Sequence, residues 1–273
     1  MLARRAIVAA GTAAVAMATT RAPAQAQGTQ PQGTQAQGAG AQGAGTQGGA
    51  ARAGASGAQP GGDASPRPRA GDALLVVDVQ NDFMPGGALA VPRGDEVVPV
   101  INRLAPAFRL AVLTQDWHVP GHSSFASSHP DRKPFDVLKL AYGNQVLWPD
   151  HCVQGTEGAA LHRDLSVPHA QLVIRKGYNR DVDSYSAFIE ADRKTRTGLD
   201  AWLKAKGVRR VFCCGLATDF CVAWTALDAR RLGFEAIVVE DACRAIDLDG
   251  SLARAWDAMA KAGVGRVRAA AIA

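Results

Sequence analysis

A carboxylate and two imidazoles lie within seven positions of one another in the segment QDWHVPGHSSF (residues 115–125), which continues into two serines. If Asp116 and His118 continue a strand, their i, i+2 spacing points both side chains to one side and offers a metal ion one oxygen and one nitrogen ligand. His122 follows a Pro-Gly turn and is either a further ligand or a group that supports one. The same spacing is also typical of polar loops, and the serines offer a nucleophile instead. The segment alone leaves these three interpretations open.

A second histidine favours the metal interpretation. The segment LWPDHCVQGT (residues 147–156) places His151 in a turn-rich connection. Together with Asp116 and His118 it forms a ligand set that suits zinc, iron or manganese. Three protein ligands with open positions are typical of a catalytic metal site rather than a closed structural one.

Buried strands must position these groups. Nearly continuous apolar runs recur along the chain, as expected of strands that are buried on both faces of a parallel sheet. They are ALLVVDV (73–79), LAVLTQ (110–115), QLVIRK (171–176), RVFCCGL (210–216), EAIVVE (235–240) and, less clearly, VGRVRAA (264–270). Segments with helical apolar spacing alternate with them. This order predicts one α/β domain over residues 71–273, with a central, mainly parallel sheet between two layers of helices.

Reactive residues fall where several of these strands end, which is where such sheets bind ligands. The first strand leads to Asp78, the third ends at Lys176, and the fourth leads through GLATDFC to Cys221. An isolated Asp at a strand end is usually a turn residue and an isolated Lys is usually solvated. Cys221 is distinctive because Thr218 or Asp219 is placed to cap the following helix, a setting that favours a thiolate.

The other cysteines are predicted to be small buried apolar residues. They are Cys152, Cys213, Cys214 and Cys243. A total of five cysteines, an odd number without a regular framework, does not support a disulfide scaffold.

The distribution of charge argues against a nucleic-acid partner. The chain has 30 Lys and Arg and 25 acidic residues, and six Arg and one Asp of these lie in residues 1–70. Residues 71–273 therefore carry 24 groups of each sign. A nucleic-acid-binding domain would show a basic face instead.

The N-terminal residues differ in kind from the rest. Residues 1–26 combine a basic start, a short apolar run and the small-x-small sequence Ala24-Gln25-Ala26, which predicts an export signal. The paired Arg4 and Arg5 are compatible with the twin-arginine route. Residues 27–70 are rich in Gly, Gln and Ala and are predicted to be a disordered linker. The resulting prediction is a periplasmic or secreted protein without a stable membrane span. A transit peptide or a misassigned start site, the latter implying a cytoplasmic protein, is the alternative.

Five ordered motifs resemble those of one enzyme family. They are VVDVQNDFMPGGALAV, TQDWHVPGHSSFA, LWPDHCVQGT, RKGYNRDVDSYSAF and GLATDFCVAWTALDA, and they extend over roughly residues 72–247. They resemble the nicotinamidases, which are metal-containing members of the isochorismatase-like cysteine hydrolases. Several motifs in order with sensible spacing are much more specific than any one of them.

The resemblance assigns roles to individual residues. It implies a catalytic triad of Asp78, Lys176 and Cys221. For amide hydrolysis by this triad we expect the backbone N–H groups of Ala217 and Cys221 to form the oxyanion hole. The resemblance also implies a cis peptide bond between Leu216 and Ala217. The implied metal ligands are Asp116, His118 and His151, with His122 as a supporting group, and the implied aromatic residues around the substrate are Phe83, Trp148 and Tyr185.

The resemblance also implies an activity. We expect hydrolysis of nicotinamide to nicotinate and ammonia through a cysteine thioester, in NAD salvage, with pyrazinamide as a related substrate. One divalent metal ion is expected, with zinc first and iron or manganese as alternatives. A homo-oligomer is compatible with the sequence. Family members of this kind usually act inside the cell, so the export signal departs from the family pattern.

Four alternatives stay open at this stage. Another amidase of the superfamily, acting on carbamoyl or ureido substrates, would lack the metal ligands, and isochorismatase itself would lack the catalytic cysteine. A metal hydrolase in which bound water attacks would leave Cys221 as a packed thiol. An exported protein that only binds nicotinamide or metal would release no ammonia.

Overall fold

A parallel sheet forms the centre of the computed structural model, which describes residues 66–272. The predicted signal and the predicted linker up to residue 65 lie outside the described residues. The strands are β1 (Asp72–Val77), β2 (Leu110–Asp116), β3 (Val137–Leu140), β4 (Gly143–Val146), β5 (Leu172–Lys176), β6 (Arg210–Leu216), β7 (Glu235–Arg244) and β8 (Gly265–Val267). Six of them form the central sheet in the order β5-β2-β1-β6-β7-β8, and all neighbours in it are parallel.

The six strands of the central sheet are those that the apolar runs predict. The middle strands β1 and β6 are buried along their whole length, because helices cover both faces of the sheet and leave no polar side. A buried ion pair between Asp72 and Arg210, with 2.6 Å between Oδ2 and Nη2, joins the first residues of these two strands at the amino edge of the sheet.

Four α-helices pack around the sheet: α1 (Val97–Leu104), α2 (Leu199–Ala205), α3 (Ala223–Arg231) and α4 (Ser251–Lys261). The apolar positions of α1, which are Val97, Val98, Ile101 and Leu104, are all buried, as their helical spacing predicts. Helix α1 packs against β6 and β7, and α3 packs against β7 and α4. The three-layer α/β/α prediction is confirmed. Among residues 66–272, no helix has the length and the apolar character needed to cross a membrane.

The hairpin of β3 and β4 was not predicted. These two strands pair antiparallel in a separate sheet, outside the central one. Most of their side chains are exposed or half-buried, so neither strand carries the apolar run that identifies the others. Gln145 is the one buried residue of the eight.

Candidate active site

The candidate site lies at the carboxyl edge of four adjacent strands. Lys176 is the last residue of β5, Asp116 is the last of β2, and Asp78 directly follows β1. Asp116 and Lys176 are paired in register, and Val77 is paired with Gly215 near the end of β6. Because parallel strands in register end at the same level, the sheet itself brings these residues together.

Lys176 is the centre of the predicted catalytic triad. Its Nζ lies 2.7 Å from Asp78 Oδ2 and 3.4 Å from Cys221 Sγ. The same ammonium donates hydrogen bonds to the Asp116 carboxylate and, at 3.0 Å, to the carbonyl oxygen of Ser184. Asp78 and Lys176 are fully buried and Cys221 is nearly so. The structure thus brings together the three side chains that we name the catalytic cluster: Asp78, Lys176 and Cys221.

Thr114 orients the Asp78 carboxylate. Its hydroxyl donates a hydrogen bond to Asp78 Oδ1 at 2.5 Å and accepts one from the Asp78 backbone N–H at 3.1 Å. With Oδ1 held in this way, Oδ2 faces Lys176, and a carboxylate oxygen of Asp78 lies within 4.8 Å of Cys221 Sγ. A general base must reach the proton that it removes, and Asp78 is the carboxylate of the cluster placed beside the thiol.

Burial and the shared lysine set the protonation states of the cluster. Burial raises the pKa of the Cys221 thiol well above its usual value, and Lys176 acts in the opposite direction. Burial also raises the pKa of Asp78, again with Lys176 opposing. For Lys176, burial alone would lower the pKa, but Asp116 and Asp78 outweigh burial and raise it well above its usual value. The resting thiol is therefore protonated, and it needs a base before it can attack.

The loop that carries Cys221, the predicted nucleophile, is built from unusual backbone. The Leu216–Ala217 peptide bond is cis, as the resemblance implies. Before it, Gly215 has a φ of +113°, and a Cβ there would lie 2.0 Å from the carbonyl oxygen of Val77. Only glycine allows β6 to approach β1 so closely beneath the nucleophile. A π-helix, Thr218–Val222, then carries Cys221 into α3.

The predicted capping role of Thr218 or Asp219 is wrong. Neither side chain makes a cap hydrogen bond to the π-helix or to α3. Asp219 instead accepts hydrogen bonds from the backbone N–H groups of Ile246 at 3.1 Å and Asp247 at 2.8 Å, and from the hydroxyl of Ser251. This carboxylate fixes the nucleophile loop to the segment between β7 and α4, a distant partner that local spacing does not reveal.

The predicted oxyanion-hole residues, Ala217 and Cys221, both line the cavity that opens from the cluster. Ala217 is nearly buried, and its carbonyl oxygen accepts hydrogen bonds from the N–H groups of Phe220 and Val222 at 3.2 and 3.1 Å. These bonds hold the turn in one conformation. The backbone N–H groups assigned to the oxyanion hole therefore belong to a fixed loop beside the thiol.

The three predicted metal ligands form a buried group, named here the metal group: Asp116, His118 and His151. Asp116 Oδ2 lies 3.8 Å from Nε2 of each histidine, while Oδ1 of the same carboxylate accepts the Lys176 hydrogen bond. A distance of 3.8 Å can be spanned by two bonds of about 2.0–2.1 Å to one ion. An isolated bridge between His118 and Val153 joins the two ligand-bearing segments.

Backbone carbonyl groups orient both imidazoles. His118 Nδ1 lies 2.8 Å from the oxygen of Gly177, and His151 Nδ1 lies 2.8 Å from that of Pro149. Because a carbonyl accepts only, Nδ1 carries the proton in each neutral ring, and the Nε2 lone pair is directed towards Asp116. Burial lowers the pKa of His118 to about 4, so this ring is neutral at pH 7. These residues fit a divalent metal ion.

His122 contacts the metal group without facing Asp116. Its ring centroid is 4.4 Å from that of His118. Nδ1 lies 2.8 Å from Ser124 Oγ, and Nε2 lies 2.9 Å from the carbonyl oxygen of Asn179. Both ring nitrogens thus have protein partners, which matches a supporting position. The hydroxyl of Ser124 is engaged by this imidazole, and neither Ser123 nor Ser124 lines the cavity.

A cavity with about 320 Å³ of empty space, part of it open to solvent, is lined by Cys221 and by all three residues of the metal group. The three aromatic residues implied by the resemblance, Phe83, Trp148 and Tyr185, all line it. The cavity has one thiol, one metal group and otherwise mainly apolar walls, so it can hold a small planar molecule with a reactive group at Cys221.

Four further lining residues were missed from the sequence: Leu89, Asp183, Phe220 and Ile246. Phe220 directly precedes Cys221, and Asp183 lies two residues before Tyr185 in the motif DVDSYSAF. Adjacency to an assigned residue was therefore a usable signal for Phe220 and Asp183. Leu89 and Ile246 come from irregular connections, and their spacing carries no comparable signal.

Comparison with known proteins identifies the family of this chain. The family profile described as the isochorismatase domain matches residues 72–271. A nicotinamidase of Acinetobacter baylyi is 57% identical over 195 residues, which cover 71% of this chain and 91% of that protein. The solved structure of an Acinetobacter baumanii nicotinamidase and pyrazinamidase has 55% identity and a TM-score of 0.73, covering 74% of this chain and 98% of that one.

A third relative is a Pyrococcus horikoshii pyrazinamidase, solved in complex with zinc, with 37% identity and a TM-score of 0.60. The match covers 72% of this chain and 99% of that one. The profile match spans most of the chain, and the fold and motif order agree with it. The chain therefore belongs to the isochorismatase-domain family, in which nicotinamidases are its relatives.

Proposed function

We propose that this protein hydrolyses nicotinamide to nicotinate and ammonia through a thioester on Cys221. One observation carries the proposal: Cys221 of the catalytic cluster and all three residues of the metal group line the same aromatic-lined cavity. The 57% identity to a nicotinamidase along 91% of that protein's length supports the same activity. NAD salvage is the process that such a reaction would serve.

The first half of the reaction forms the thioester. Asp78 accepts the proton of the Cys221 thiol, and the sulfur attacks the carboxamide carbon. The backbone N–H groups of Ala217 and Cys221 stabilise the charge that develops on the carboxamide oxygen. Asp78 then gives its proton to the nitrogen, the carbon–nitrogen bond breaks, and ammonia leaves. Lys176 stays charged throughout and stabilises both the thiolate and the carboxylate.

The second half returns the enzyme to its starting state. Asp78 accepts a proton from a water molecule, whose oxygen attacks the thioester carbon. The carbon–sulfur bond breaks, nicotinate is released, and the proton returns to Cys221. One base, Asp78, therefore serves both half-reactions.

The metal group has a binding role in this scheme. A divalent ion held by Asp116, His118 and His151 would supply an acceptor site for the pyridine nitrogen and would polarise the ring. Phe83, Trp148 and Tyr185 would enclose the ring faces. We propose zinc as the ion, since the imidazole and carboxylate donors suit it and a pyrazinamidase relative was solved with zinc.

One experiment tests both parts of the function. Ammonia release from nicotinamide is measured with purified protein, and metal content is determined on the same sample. Cys221→Ala should lose turnover by more than about a thousandfold, because the nucleophile is removed. Nearly full turnover in that variant would instead support attack by metal-activated water. The same assay with pyrazinamide tests a second proposed substrate, and sedimentation tests the expected homo-oligomer.

We also propose that the enzyme is exported and acts outside the cytoplasm, with residues 27–70 as a linker. The signal-like residues 1–26 support this proposal. Fractionation followed by N-terminal sequencing should find a chain that starts after Ala26 in the periplasm or the medium. A full-length chain in the cytosolic fraction would overturn it.

A further inference from the structure

Gln145 occupies an unusual position in the β3–β4 hairpin. Its side chain is 1% exposed, while the neighbouring Asn144 on the same strand is exposed. A buried amide requires hydrogen-bond partners, because an unpaired buried polar group costs about 1–3 kcal/mol. Two of its partners, Tyr142 and Val146, belong to the hairpin, and the other two, Asp183 and Tyr185, line the cavity.

The Gln145 amide group connects two cavity-lining residues. Nε2 lies 2.7 Å from Asp183 Oδ2, 2.7 Å from the carbonyl oxygen of Val146 and 3.0 Å from the hydroxyl oxygen of Tyr185, and its two hydrogens are shared among these three acceptors. The Tyr142 hydroxyl donates to Oε1 at 3.1 Å. Since the Asp183 carboxylate only accepts, the NH₂ side of the amide must face it. The orientation of Gln145 is thereby fixed from both ends.

The network extends to the ring-binding wall. Trp148 Nε1 donates a hydrogen bond to the same Tyr185 hydroxyl at 3.0 Å. Phe220 and Phe135 pack edge-on against Trp148, with centroid distances of 4.9 and 6.0 Å. These apolar contacts fill space around the indole, whereas the shared hydroxyl sets where Tyr185 and Trp148 stand relative to each other.

We infer that Gln145 is a positioning residue that sets the width of the substrate slot, by holding Tyr185 and Asp183 in place and, through Tyr185, the indole of Trp148. It does not line the cavity and does not touch the reacting atoms. By this inference, the slot favours an unsubstituted six-membered ring such as that of nicotinamide over a ring with an added substituent. This inference rests on the proposed function and names what determines substrate selectivity at that site.

The test uses Gln145→Met, which keeps the length of the side chain and removes its hydrogen bonds. KM for nicotinamide should rise about tenfold with kcat little changed, because ground-state binding is lost rather than chemistry. The preference for nicotinamide over 5-methylnicotinamide, taken from the two values of kcat/KM, should fall. Gln145→Glu should raise KM further and lower this preference further, because the new carboxylate would face that of Asp183.

Controls separate positioning from general damage. Asn144→Met makes the same change at an exposed position of the same strand and should leave KM and selectivity as in the unaltered enzyme. Tyr142→Phe removes the hydrogen bond that the Tyr142 hydroxyl donates to Gln145, and it should raise KM about threefold. This variant replaces Gln145→Met in the test if Gln145→Met fails to fold. The rate at which iodoacetamide alkylates Cys221 should stay constant in every folded variant.

Two failures are distinguishable. If the unaltered enzyme releases no ammonia from nicotinamide, the proposed function is wrong. The positioning role is wrong if the unaltered enzyme is active and the Gln145→Met variant folds but shows an unchanged KM and unchanged selectivity. If Gln145→Met does not fold, an unchanged KM and unchanged selectivity in Tyr142→Phe would have the same meaning. A fall in kcat and in the alkylation rate without a rise in KM would also overturn it, because such a change indicates damage to the nucleophile.

Discussion

Gly177 is the position where one added methyl group should most directly disturb the metal group. It has a φ of +67°, and a Cβ built there would lie 2.6 Å from Cε1 and 2.8 Å from Nδ1 of His118. Carbon atoms in contact are normally about 3.5–4.0 Å apart, so the imidazole would have to move by about 1 Å. Metal sites tolerate deviations of only about 0.2 Å in their bonds. Gly177→Ala should therefore weaken metal binding by at least about 10–100-fold.

Gly207 provides a matched control. Its φ of +72° is nearly the same, but a Cβ there would meet nothing within 4 Å. Both variants bear the same backbone cost of about 1–2 kcal/mol for alanine in a left-handed conformation, so any difference between them comes from His118. The assay is metal content after equilibration with a graded series of chelator concentrations, together with KM for nicotinamide.

The result that would refute this reasoning is equal metal retention in Gly177→Ala and Gly207→Ala across the chelator series. Such a result would mean that the imidazole can shift without leaving the ion, or that His118 is not a ligand. Restoration of metal content in Gly177→Ala by excess zinc, with a parallel fall in KM, would support the assignment of His118.

Three further predictions concern ion pairs and the metal. Lys176→Met should lower the free energy of unfolding by about 3–5 kcal/mol, because two buried carboxylates lose their cation. The matched Lys261→Met removes an exposed ion pair of 2.6 Å and should lower the free energy of unfolding by less than about 1 kcal/mol. Equal denaturation midpoints for the two variants would contradict this account. Chelation should raise KM for nicotinamide at least about tenfold while alkylation of Cys221 continues; an unchanged KM in metal-free protein would count against the ring-binding role. Asp72→Ala should lower the free energy of unfolding by about 1.5–3 kcal/mol, because Arg210 loses the two buried hydrogen bonds that it donates to this carboxylate. KM should not change, since this pair lies at the opposite edge of the sheet.

The central sheet could be predicted because its strands are buried on both faces. Each appears in the sequence as an apolar run, and the reactive residues at strand ends follow from the parallel topology. The β3–β4 hairpin escaped prediction for the opposite reason. Its single buried side chain, Gln145, is polar and is hydrogen-bonded to residues that line the cavity, so no apolar periodicity marks it.

The candidate site shows a similar division. The catalytic cluster and the metal group fall on motifs with recognisable spacing, and the structure brings them together. Thr114 and Asp183 were not foreseen, since a hydroxyl within a strand and an acid within a loop have many ordinary uses. Asp219 was assigned a cap by local spacing, but a tertiary partner near Ile246 competes successfully for its carboxylate.

The alignment of the site with the strand ends also predicts where this protein tolerates changes in length. Side chains alternate between the faces of a strand, so deleting one residue within β5 would exchange Lys176 for a neighbour that points to the other face. The site would be lost even if the sheet still formed. Insertions at the tip of the β3–β4 hairpin, between Leu140 and Gly143, leave the strand register untouched. We expect length variants to survive there and to fail within β1, β2, β5 and β6.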